Sequence, residues 1–174
     1  PKIRAVAVPS RDTTAYLMAG FTNDTAELIL PTSAASFYLD GTYVGTQYTD
    51  MIAAGADAKL SFGPIEGVQL ERTVLSKSEG DRGVISKSNQ QREQVRIDVT
   101  NLTSEPWDVR LLDQVPYSEQ DDLLIQWSAT PKVSEQDVDG KRGILAWDFA
   151  LPAGASQQIM LDQTIDWPID KVLR

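Results

Sequence analysis

Apolar residues recur at every second position along several stretches of the chain. Val95, Ile97 and Val99 alternate with Arg96, Asp98 and Thr100, and Trp107, Val109 and Leu111 alternate with Asp108 and Arg110. Leu145, Trp147, Phe149 and Leu151 form a third face opposite Ala146, Asp148 and Ala150. Ile159, Leu161, Ile165 and Trp167 form a fourth, interrupted by Gln163. Side chains two apart share one face of a strand, so this period predicts strands that bury one side and wet the other. No stretch of helical length carries a sustained i, i+3, i+4 stripe.

The breaks between these runs agree with that reading. Asp40-Gly41 separates FYLD from TYVG, and Asp139-Gly140 separates VSEQDV from RGILAWDF. Both residue types tolerate positive φ, so an Asp-Gly pair between apolar runs signals a hairpin. AAGADA (53–58), PAGAS (152–156) and NLTSEP (101–106) read as further turns. The polar stretch 76–94 reads as a long hairpin: Val68, Leu70 and Val74 lead in, SEGDRG turns, and Val84 leads out toward Val95. A flexible linker would be richer in Gly, Ser or Pro throughout. The expected fold is all-β, a mostly antiparallel β-sandwich with two packed subdomains sharing long strands. The N-terminal β subdomain is placed at 1–89 and an immunoglobulin-like sandwich at 90–174. Tryptophans at 107, 127, 147 and 167 are evenly spaced, but their flanks (EPWDVR, IQWSAT, LAWDFA, IDWPID) share almost nothing. Core packing explains them better than a repeat.

Composition removes several kinds of chemistry. The chain of 174 residues has no histidine and no cysteine. Ser-His-Asp and Cys-His catalysis are therefore excluded, and so is essentially every standard zinc site. Carboxylate pairs and oxygen-ligand sites stay open, but no calcium-loop spacing, phosphate loop or nucleotide fingerprint occurs. No cofactor or metal is expected. The net charge is −9, and −7 of it falls in residues 90–174. Such a surface repels nucleic acid and anionic membranes. No apolar run approaches the length of a membrane-spanning helix. Starting at Pro1 without a methionine, the chain reads as a piece of a larger protein.

Two regions carry candidate chemistry. LLDQVPYSEQDDLL (111–124) gathers Asp113, Glu119, Asp121 and Asp122 around Pro116 and Tyr117. Pro116 removes a ladder donor and holds Val115 extended, so the strand should stop there and the later acids should cross solvent. Asp113 shares a face with Val109 and Leu111. It is expected to be partly buried, bonded to nearby backbone amides, and structural rather than catalytic. The second region is the hairpin at Asp40-Gly41, where Tyr38, Tyr43 and Tyr48 cluster with Phe37. Cross-strand aromatic pairing explains such a cluster, and contact with a protein or a sugar ring is the functional alternative. Asn23-Asp24-Thr25 and Asn101-Leu102-Thr103 match glycosylation acceptors, but both asparagines end strands, where turn chemistry already accounts for them.

AYLMAGFTN (15–23), ELILP (27–31), FYLDGTYVG (37–45), DQVPYS (113–118) and GILAWDFALPAG (143–154) follow one another in this order. Together they resemble the C-terminal β-rich domain of unknown function of the mucoidy-inhibitor A family, across nearly the whole chain. Two positions depart from that pattern: Thr32 stands where a glycine is common, and Tyr117 where a smaller residue is common. The resemblance implies an N-terminal domain and a coiled coil ahead of this part, a periplasmic or other bacterial cell-envelope setting, and an influence on exopolysaccharide production. It implies no reaction and no catalytic residues. The expected function is a non-catalytic interaction or scaffold module acting through a protein partner or self-association. Its candidate contact residues are Tyr38, Tyr43, Tyr48 and Tyr117 with the four acids of 113–122. A carbohydrate-binding module is the first alternative, and a hydrolase pairing Asp113 with Glu119, Asp121 or Asp122 the second.

Overall fold

The computed structural model describes residues 1–39, 41–81 and 88–170. Eleven strands account for nearly all regular structure: β1 (Lys2–Ala7), β2 (Thr14–Thr22), β3 (Thr32–Leu39), β4 (Thr42–Thr49), β5 (Asp57–Asp81), β6 (Ser88–Asn101), β7 (Trp107–Gln114), β8 (Leu124–Thr130), β9 (Glu135–Gln136), β10 (Ile144–Leu151) and β11 (Ser156–Pro168). One 3-10 turn, Val138–Gly140, lies between β9 and β10. The fold is an all-β sandwich.

Nine strands form one sheet in the order β8-β11-β6-β5-β2-β1-β7-β10-β9, and β3 and β4 form a separate two-stranded sheet. In the large sheet β1 and β7 run parallel, and every other neighbouring pair is antiparallel. β8 and β9 are its opposite edges, yet only residues 131–134 connect them. The sheet must therefore fold over on itself to bring its edges together. Two side-chain bonds mark the closure. Trp147 Nε1 on β10 donates to the Pro131 carbonyl at 3.0 Å. Arg72 Nε on β5 donates to Asp113 Oδ2 on β7 at 2.9 Å, although β2 and β1 separate those strands in the sheet.

The core lies between the folded halves, and the alternation fills it as expected. Val95, Ile97 and Val99 of β6 and Ile159 and Leu161 of β11 are fully buried with Ala5 and Ala7 of β1 and Leu111 of β7. Small alanines on β1 face large side chains elsewhere, the interdigitation that dense packing requires. Trp147 belongs to this core, and Trp107 and Trp127 pack against it. Ala146, expected on the wetted face of β10, is also buried, because residues 131–134 cover it: the Ser134 N–H donates to its carbonyl at 2.8 Å.

The long hairpin forms, with β5 and β6 paired from Val68 with Asn101 to Asp81 with Asn89. Residues 78–81 of the expected SEGDRG turn instead continue β5 as paired strand, and Arg82, Gly83 and Val84 lie outside the described residues. Asp139-Gly140 makes the expected positive-φ turn (53° and 72°), closed by the Lys141 N–H on the Val138 carbonyl at 3.1 Å. The strands it joins stop further away than a two-residue hairpin would allow, at Gln136 and Ile144.

A repeat is present, but the tryptophans do not mark it. β2 pairs with β5 so that Thr22 faces Asp57, Gly20 faces Lys59 and Met18 faces Ser61. β6 pairs with β11 in the same register, with Thr100 facing Ser156, Asp98 facing Gln158 and Arg96 facing Met160. Further out, the bridge of Ile29 to Ile52 corresponds to Trp107 facing Leu151, and Thr32 facing Thr49 corresponds to Arg110 facing Asp148. The β3–β4 hairpin in the first half of the chain is thus the counterpart of the β7–β10 pair in the second.

Candidate functional site

The β3–β4 hairpin is tight at its tip, where Leu39 pairs with Thr42 and Gly41 adopts φ 80°. Asp40 lies outside the described residues. One face turns inward: Phe37 is buried and meets Phe62 of β5 edge-to-face, with centroids 5.2 Å apart. The other face turns outward and carries the tyrosines. Tyr38 and Tyr43 oppose each other across the strands, with rings 5.6 Å apart and inclined by 64°. The Tyr43 hydroxyl is 2.7 Å from that of Thr46, and alternation puts Tyr48 on the same side as Thr46. All three rings are more than half exposed. The expected cross-strand pair is therefore formed, and it leaves aromatic surface in solvent.

The acidic connection is divided among different surroundings. β7 ends at Gln114, just before the proline turn. The Asp113 side chain is 0% exposed, held by Arg72 and by the Gln114 N–H on Oδ1 at 2.8 Å. The backbone bond was foreseeable, but an arginine 41 positions away was not. Glu119 projects into solvent and pairs with Arg142 at 2.6 Å. Asp121 and Asp122 line an open depression with Arg92, Gln126 and Asp166. Tyr117 is exposed and lines a neighbouring depression with Trp127, Arg142 and Leu145. No residue of the β3–β4 hairpin lines either one. Among the described residues, no group of three or more acids is placed to hold a metal ion.

Asn23 and Asn101 are both buried and serve as clamps of identical design. Asn101 Nδ2 donates to the carbonyls of Glu105 (2.8 Å), Leu151 (3.3 Å) and Pro152 (3.0 Å), while Oδ1 accepts from the Thr103 hydroxyl at 2.7 Å. Asn23 Nδ2 donates to Glu27 (2.9 Å), Ile52 (3.2 Å) and Ala53 (3.2 Å), and Oδ1 accepts from the Thr25 hydroxyl at 2.7 Å. Each thus ties a strand end to a Gly-containing turn, 53–56 or 152–155. With Nδ2 enclosed and engaged, neither amide is presented for glycosylation in the folded chain, and turn chemistry is their role. The signal for this was present twice as Asn-x-Thr-x-Glu.

Fold and surface together define a duplicated all-β module that keeps one repeat's hairpin outside the core and lined with aromatic rings. The chain belongs to the DUF4139 family, a domain of unknown function, which matches residues 2–169. It is similar to Protein F37C4.5 of Caenorhabditis elegans, at 27% identity over 184 residues that cover 99% of this chain and 33% of that protein. The chain thus spans about a third of the length of that relative. No solved structure matches it. Among the described residues, no helix is long and apolar enough to cross a membrane.

Proposed function

We propose that this chain is a non-catalytic interaction module that engages a protein partner through the outward face of the β3–β4 hairpin. One observation carries the reading. Of fifteen large apolar side chains exposed among the described residues, eight fall within residues 28–51, including Leu30, Tyr38, Tyr43, Tyr48 and Met51. Such clustering marks a contact surface, whereas scattered exposure would not. Residues 28–51 contain no base and only two acids, Asp40 and Asp50. Aromatic and methionine enrichment with few charges is the composition of an interface core. Among the described residues, both outer edges of the hairpin are free of ladder partners, which suits strand addition.

The non-catalytic part rests on the absent histidine and cysteine and on Asp113, whose carboxylate is enclosed and engaged by Arg72. Sugar binding is the second reading, favoured by the exposure of Tyr38, Tyr43, Tyr48 and Tyr117. The inclined Tyr38–Tyr43 pair makes a poor flat platform for a sugar ring, and Tyr117 belongs to another surface. A bacterial envelope setting and an effect on exopolysaccharide belong to this proposal as the place to look for the partner. A nematode relative argues for a mode of contact that does not depend on that setting.

The test is affinity capture with the wild-type chain and a Tyr38→Ser/Tyr48→Ser variant of unchanged circular dichroism. A defined protein retained by the first and lost by the second is the expected result. Equal retention by both, polysaccharide in place of protein, or a turnover abolished by one carboxylate substitution would overturn the reading.

A further inference from the structure

On the far side of the sheet from the core, β2, β1 and β7 present a second surface. Lys2, Arg4 and Val6 alternate with the buried face of β1. Lys2 lies opposite Gly20, Arg4 opposite Met18, and Val6 beside Arg110. Together they border a cavity of about 350 Å³. Val6, Met18 and Leu112 give it an apolar floor, and Val138 and Asp139 of the 3-10 turn form one wall.

Three features set this cavity apart from a chance hollow. The first is charge: in a chain of net −9, Lys2, Arg4, Lys59 and Arg110 converge on its rim. Asp148 is shared by Arg4 at 3.0 Å and Arg110 at 2.7 Å, Arg110 also pairs with Glu135, and Lys59 pairs with Asp139 at 3.3 Å. Four cations against these three carboxylates leave one positive charge unmatched among the described residues. Among the described residues Arg4 spends a single donor, on Asp148, which leaves most of its five N–H groups available.

The second feature is the 3-10 turn that closes one side. Asp137 and Asp139, on either side of Val138, both adopt φ 53°, which aspartate tolerates. Here the Gly143 N–H on Asp137 Oδ1 at 2.7 Å and the Lys59 ammonium on Asp139 keep Val138 against the sheet.

The third feature is Gly20, an interior strand glycine without a left-handed φ. A Cβ there would meet only the Lys2 and Ala58 carbonyl oxygens, at 3.8 and 4.0 Å. Neither turn geometry nor crowding calls for glycine. What its missing side chain provides is room in the cavity, as expected where a ligand approaches a strand closely.

We propose that this cavity binds a small amphiphilic monoanion, a short acyl or aryl chain ending in a carboxylate. The chain lies on Val6, Met18 and Leu112 over Gly20, and the carboxylate meets Lys2 and the free donors of Arg4. Apolar pockets with a few convergent polar groups bind ligands of this kind. The site is on a different face from the β3–β4 hairpin and stands or falls independently of it.

Calorimetric titration of the chain with decanoate tests it, with decanol as the uncharged probe. Saturable binding of one decanoate per chain is expected, with decanol at least about tenfold weaker. Gly20→Val should fill the cavity and abolish binding without lowering Tm, and Lys2→Glu should weaken it about tenfold. Absence of saturable heat, equal affinity for decanol, or full affinity in either folded variant would overturn the proposal.

Discussion

The two asparagine clamps are alike bond for bond, yet the strands that leave them fare differently. Beyond Asn101, β7 is taken up between β1 and β10, and its inward residues Val109 and Leu111 join the core. Beyond Asn23, among the described residues, β3 and β4 pair only with each other, and Phe37 alone of their larger side chains is buried. The clamp therefore fixes where a hairpin starts and not where it ends. The destination depends on a third strand. β1 lies parallel along β7 at Ala5–Val109 to Ala7–Leu111 and gives it a ladder, and no described strand does this for β3. One repeat's hairpin became core, while its counterpart was left as surface.

The comparison can be broken by treating matched positions alike. Asn101→Ala would remove three donated bonds: the Glu105 and Pro152 carbonyls keep the Thr103 hydroxyl and the Ala155 N–H, while the buried Leu151 carbonyl loses its side-chain donor. The substitution should cost about 3–5 kcal/mol in urea denaturation. Asn23→Ala removes the same bonds beside an open hairpin and should cost about 2 kcal/mol. Equal losses would mean that the first repeat is as integral as the second.

The glycines facing Val115 and Phe37 make a second pair. At Gly143, φ is 78° and an added Cβ would lie 2.4 Å from the Val115 carbonyl oxygen, so Gly143→Ala should cost about 2–3 kcal/mol. At Gly45, φ is 150° with nothing within 4 Å, and Gly45→Ala should cost about 1 kcal/mol. On the exposed face, Tyr48→Ser should change stability by less than about 0.5 kcal/mol and show its effect only in partner capture.

The smallest expected effect separates the repeats by acid titration. Asp12 accepts from the Tyr16 hydroxyl at 2.6 Å and from the Thr13 N–H, which holds its carboxyl below the ordinary 3.8. Folded Asp12 is the stronger acid. Its contribution is therefore present above pH 3.8 and lost as pH falls through the lower folded value. At the position matched to Tyr16, Gln94 donates to Asp162 at 3.1 Å instead. Asp12→Asn should remove this small acid-limb loss, as followed by Tm against pH.

Local pattern explains what was legible in the chain. Period-two alternation marked the inward faces of β6, β7, β10 and β11, and Asp-Gly and Ala-Gly pairs marked the turns, because both depend on neighbouring residues alone. Asp113 was placed on the buried face by the same logic. Its charge partner Arg72 depends on how the sheet folds over, which no local pattern contains. The repeat also escaped local reading. It is carried by register and by Asn-x-Thr-x-Glu, while its strands share little sequence and the regular tryptophans do not mark it. The cavity over β1 combines residues from β1, β2, β5, β7 and the 3-10 turn, a set that only strand order assembles.

Backbone hydrogen exchange on the chain alone tests the central contrast most directly. Amides of β7 and β10 should exchange only through global unfolding. Those of β3 and β4 should exchange by local opening, faster by orders of magnitude, because a two-stranded sheet with open edges has little to hold it. Equal, slow exchange in both hairpins would contradict the account, since the first repeat's hairpin would then be core and not a surface awaiting a partner.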